Sequence, residues 1–155
     1  MINDAIKATG ELTIELFDAS GNKKNSVHVP NTVVTNGKNY IASRMVGTAQ
    51  STFSHMAVGE DNTAATVADT KLGDEIDDGG ATQRVTFDST PSASGAVVTY
   101  VATFPAGTGT GAITEAGIFN SGTFNTTGML CRTAFGTITK TDDDSMTITW
   151  TITIN

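Results

Sequence analysis

Gly107, Gly109 and Gly111 alternate with threonine in the stretch GTGTG, and theirs is the first spacing in the chain that suggests chemistry. A glycine-rich turn cradles a pyrophosphate when a helix follows, because the helix amino terminus points free N–H groups at the anion. Here AITEAGIF follows, which reads as a strand, and the second glycine interval does not fit the fingerprint. The stretch is read as a loop, without a nucleotide site. A nucleophilic triad fares no better. His28 and His55 are the only histidines: His28 sits beside valines, and His55 lies between Phe53 and Met56. No glycine-framed serine makes a nucleophile elbow, and Cys131 alternates within an apolar run as a small core residue would. No catalytic residue is assigned, and the chain is not expected to be an enzyme.

Carboxylates cluster in three places: Glu60 with Asp61, Asp74 to Asp78, and Asp142 with Asp143 and Asp144. Calcium needs several oxygen ligands at short range, yet none of these stretches has the alternating aspartate spacing of a known cation loop. They read as solvated turns in which aspartate accepts backbone hydrogen bonds, so neither a metal nor a cofactor is assigned. Two charges lie inside apolar runs, Glu115 in AITEAGIF and Arg132 in MLCRTAF. A charge in such a place faces solvent or is paired. Antiparallel neighbours would bring these two together, and Glu75 and Arg84, which bracket the acidic stretch, invite the same reading. All four are assigned structural roles.

The elements that must position these residues are strands. ELTIELF alternates, breaks at ASGN, and returns as SVHVP, where Pro30 should end the strand or sit at an edge. TNGKNYIASRMVG is the best helix, capped by Thr35 or Asn36, with Tyr40, Ile41 and Met45 on one side and Gly47 at the exit. FSHMAVGE reads as a brief buried strand. The acidic stretch that follows is expected to be loop with one helical turn over residues 70–75. Strands resume at RVTFDS. After the small-residue loop TPSASG, the run AVVTYVATF puts Val98, Tyr100, Ala102 and Phe104 on one face. ITEAGIF, MLCRTAFGTITK and SMTITWTITI complete a meander. In the last run Met146, Ile148, Trp150, Ile152 and Ile154 share one face and four threonines the other, which predicts a strand clamped on both sides.

The chain has 155 residues, enough for one domain with a real core, and a formal net charge of −7. Phosphate backbones attract basic surfaces, so no nucleic-acid partner is expected. One cysteine excludes an intramolecular disulfide and suits a reducing cytoplasm. The first residues show no signal pattern, and no apolar run approaches the roughly 18–20 residues of a membrane span, so no membrane partner is expected. Threonine is the commonest residue and glycine is abundant. The expectation is an all-β fold, an antiparallel β-sandwich or jelly-roll-like barrel with one short helix. Residues 1–10 are read as a flexible N-terminal arm, and 11–155 as a single β domain.

Taken in order, NTVVTNGKNYIASRMVG, FSHMAVGEDNTAATVADTKLGDEI with Arg84 after it, and ITEAGIF, MLCRTAF and the alternating ending resemble a group of small tailed-bacteriophage virion structural proteins. The resemblance runs from about Asn31 to the C-terminus. It implies a virion protein without catalytic residues, either a capsid decoration (cement) protein, commonly a homotrimer on the head, or a tail, baseplate or fibre component. The first reading is decoration, with the major capsid protein and further copies of the chain as partners, on a capsid assembled in the bacterial host cytoplasm. Its expected contacts are residues 1–10, 107–111 and 120–127, with the threonine face of the last strand at a subunit seam. The alternative is a tail or fibre module binding a host glycan through an aromatic platform, for which Tyr40, Tyr100 and Trp150 are the candidates.

Overall fold

A computed structural model describes residues 4–48 and 50–155. Leu12, Ile14 and Leu16 alternate with Thr13 and Glu15, and this period makes β1 (Ala8–Phe17) a strand with one buried face. The Asp18 carboxylate then closes a turn by accepting the backbone N–H groups of Ser20 and Asn22, both at 2.9 Å. The chain returns as β2 (Lys23–Val33), with Thr13 opposite His28. Next come α1 (Thr35–Met45), β3 (His55–Gly59) and four short strands, β4 (Asp77–Asp78), β5 (Ala81–Thr82), β6 (Val85–Thr86) and β7 (Ser92–Ser94). The remainder is the expected meander: β8 (Val97–Phe104), β9 (Gly111–Phe119), β10 (Met129–Lys140) and β11 (Ser145–Ile154).

The fold is all-β with one helix. Nine strands form one antiparallel sheet in the order β6-β3-β9-β10-β2-β1-β11-β8-β7, and β4 and β5 form a separate hairpin. The sheet curls into a half-barrel. Its corner is β2, which pairs with β1 along most of its length and with β10 only at Thr32 and Val33. The two edges approach one another just beyond β6. There the Asp88 N–H donates to the Val101 carbonyl of β8 at 2.8 Å, and the Asp88 carboxylate accepts from the Thr103 amide and hydroxyl. The clamp expected for the last strand is present: β11 lies between β1 and β8, and Met146, Ile148 and Trp150 are fully buried. Burial of a side chain of that size contributes about 1.5–3 kcal/mol, so this strand is an anchor of the core.

Several local expectations are corrected. The strand begins at Ala8, and Lys7 exchanges backbone hydrogen bonds with Asn155, so the inner part of the 1–10 arm is tied into the sheet. Residues 1–3 of that arm lie outside the described residues. Pro30 does not end β2 but takes the edge position that was the other expectation for it. Its carbonyl accepts from the Thr133 hydroxyl on the side away from β1, so its missing N–H faces a stretch where β2 has no ladder to complete. Neither Thr35 nor Asn36 caps the helix: Val34 holds the cap position without a side-chain bond, and the Asn36 amide donates to the Met129 carbonyl. Tyr40 is buried against Phe53, Ile41 is half-buried and Met45 is 81% exposed, so these three do not share one covered face. Residues 70–75 form no helical turn, and TPSASG contains β7 paired back on β8. Gly47 closes α1 with a φ of 68°, as expected.

Candidate functional site

Both expected ion pairs form, and together they fasten the acidic stretch to the sheet. β9 and β10 are neighbours, with Glu115 opposite Ala134 and Arg132 opposite Gly117, so the two charges meet diagonally. The Arg132 Nε donates to Glu115 at 2.7 Å, and its two amino groups reach Asp69 at 2.9 Å and Asp61 at 3.5 Å. Glu115 has no exposed surface, and its two oxygens accept the backbone N–H groups of Gly73 and Asp74 at 3.0 and 2.8 Å. Burial alone would lower the Arg132 pKa, but the hydrogen bonds and charges of Glu115 and Asp69 together more than offset it, so the pKa is raised and the guanidinium stays protonated. Beside this cluster Arg84 makes a two-pronged bond to Glu75 at 2.7 and 2.8 Å. It also donates to the Ser121 and Thr126 carbonyls and lies 3.8 Å from the centre of the Phe119 ring. Leu72 completes the seal by packing with Ala57, Phe119, Met129 and Val34 in a second small core.

The expected contact loops fall into place around these clamps. Gly109 is buried rather than exposed. Its φ of 62° brings the backbone against Phe104, and its N–H donates to the Gln83 side chain. Lys140, itself buried, donates to the Pro105 carbonyl, so within 107–111 only Gly107 is left exposed. Residues 120–127 are held by Arg84 and by the Asn125 N–H donating to Glu75. The histidines stay apart: His28 is exposed beside Thr13, and His55 meets Ser54 at 2.7 Å. Desolvation, followed by the charge of Arg84, lowers the His55 pKa. Cys131 is fully buried, and burial pushes its thiol pKa well up. Trp150 is buried and donates its indole N–H to Asn31, and Tyr40 is buried too. Among the described residues no cluster of His, Cys, Asp or Glu has the geometry to hold a metal, and no helix is long and apolar enough to cross a membrane.

Two further surfaces stand out among the described residues. The outer face of β2, β1, β11 and β8 is a grid whose central row runs His28, Thr13, Thr149, Val101 and whose next row runs Ser26, Glu15, Thr147, Thr103. Hydroxyls are cross-linked within it, as in the 3.1 Å contact of Thr103 with Thr147. The second surface was not legible in the sequence. It is an apolar groove of about 570 Å³ between the start of β1, the end of β11 and α1, with half-buried Ala8, Ile41 and Ile154 along it. Its lining comes from residues 6–9, from four residues of α1 and from Ile154; the pairing of β1 with β11 joins the first and last of these, and α1 supplies the third wall. Comparison with protein-family models, with curated proteins and with solved structures found no match to this chain.

Proposed function

We propose that the chain is a bacteriophage virion structural protein, a capsid decoration protein that stabilises the head by bridging subunits of the major capsid protein. The observation that carries this reading is the pair of buried arginine clamps. They tie a long acidic loop down as a cover on one half of the sheet, while the threonine grid leaves the other half open for contact. Such a molecule works through area. A standard interface takes about 800 Å² per partner, a modest share of the 7873 Å² this chain exposes. Copies that bind only the assembled shell raise the cost of opening it by mass action, without a chemical step. Association as a trimer would multiply weak contacts through effective concentration. The resemblance of the sequence to small virion proteins supports the same reading. A glycan-binding tail module would need an aromatic platform, and two of its three candidate residues, Tyr40 and Trp150, are inside the core.

The test uses expanded empty capsids. The purified chain is expected to co-sediment with them and to raise the temperature at which they rupture. Capsids that neither retain the chain nor gain heat resistance would overturn the proposal.

A further inference from the structure

We infer that the groove beside α1 is the docking site for a segment of a partner protein in which an apolar side chain is flanked by carboxylates. The site stands on its own geometry, and it rests on the proposed function only for the identity of the partner. Four large apolar side chains are exposed among the described residues: Ile6 at 78%, Met45 at 81%, Val46 at 79% and Val67 at 50%. All four border α1 or the groove. Ile6 and Met45 line it, Val46 follows the helix, and the Val67 carbonyl accepts the N–H of Thr35 at the helix start. Ile6 and Met45, exposed in one groove with Ile41 and Ile154, mark an interaction surface more strongly than apolar residues scattered singly would.

The charge around the groove selects the occupant. The chain carries a net charge of −7, and four of its nine lysines and arginines are paired with its own acids: Lys23 with Glu15, Lys24 with Asp144, Arg84 with Glu75 and Arg132 with three carboxylates. Lys7 and Lys38 line the groove, are exposed, and make no ion pair with an acid among the described residues. An acidic molecule that keeps two ammonium groups without an acid partner beside an apolar groove is complementary to an apolar segment with carboxylates at its sides. A second copy docking the same face would set four lysines against one another, so face-to-face self-association is opposed by like charge.

The experiment is an amide-shift titration of the full chain with two synthetic hexapeptides, each with two central leucines, one flanked by glutamates and the other by lysines. The glutamate peptide is expected to shift the amides of Ile6, Lys7, Lys38, Ile41, Met45 and Ile154, and the lysine peptide to leave them in place. K7E/K38E should weaken the glutamate peptide about tenfold and admit the lysine peptide, and M45E should weaken the glutamate peptide without admitting the lysine one. These residues are exposed, so the variants should melt as the parent does. Equal shifts with both peptides, shifts elsewhere, or none would overturn the inference. So would sedimentation showing a self-associated parent that M45E dissociates, since the occupant would then be a second copy. On capsids, K7E/K38E retained as well as the parent would also overturn it while leaving the decoration reading intact. A parent that fails to bind capsids would remove that reading, and the peptide result would still decide the groove.

Discussion

Glu115 shows how one side chain can hold a large loop. It has no exposed surface, one cationic partner, and two backbone N–H groups from a segment about forty residues earlier in the chain. Glu115→Ala leaves Arg132 buried with its closest counter-charge missing and frees Gly73 and Asp74. It is expected to cost about 3–5 kcal/mol in urea unfolding, more than an exposed ion pair would. Replacing Glu115 and Arg132 together with leucine should cost less than the sum of the two single changes, because the residues share the interaction. Acid acts at a different residue. Lys24, with help from the Thr141 N–H, holds the Asp144 pKa down at about 2. An unfolded aspartate titrates near 3.9, so the stability this pair contributes is fully present above about pH 4 and is lost as pH falls through about 2. Asp61 and Asp69 are shifted the same way, Asp61 chiefly by Thr63 and Asp69 by Thr66 and Arg132 against the opposing effect of burial. Lys24→Met should make stability at neutral pH lower and its acid-side decline shallower, as measured by denaturant midpoints from pH 2 to 7.

At the scale of elements, the helix is placed by a single glycine. Gly37 is buried where α1 crosses β10, and a Cβ there would overlap the Leu130 carbonyl oxygen. Gly37→Ala is expected to push the helix off the sheet at a cost of about 1–3 kcal/mol. Amide exchange should then rise across α1 while β11 stays protected. The long strands were legible because alternation is a backbone period: Leu12, Ile14 and Leu16, or Ile148, Trp150 and Ile152, reach the core wherever the sheet curls. Three of the short strands were not. In β4, β5 and β7 the side chains are small or polar and exposed, so no apolar period marks them. The helical turn expected over 70–75 fails because the Gly73 and Asp74 N–H groups are taken by Glu115, a partner that the local sequence does not contain. Glu115 and Arg132 were readable as charges stranded in apolar runs, and Glu75 and Arg84 as the brackets of the acidic stretch. The groove was not, because its walls come from both ends of the chain.

The whole molecule is a β block with one face covered by the acidic loop, an open threonine grid and an apolar groove beside its helix. The grid suits a seam of mixed polarity, since threonine offers a methyl group to pack and a hydroxyl to bond. If copies meet there, Thr149→Lys with Thr151→Lys should reduce an oligomer to monomer by light scattering, and an unchanged mass would place the seam elsewhere. The most direct measurement of the central claim is the position of the chain on purified phage particles, marked with gold-conjugated antibody. The account predicts label spread over the head lattice. Label confined to the tail, or particles that carry none, would contradict it.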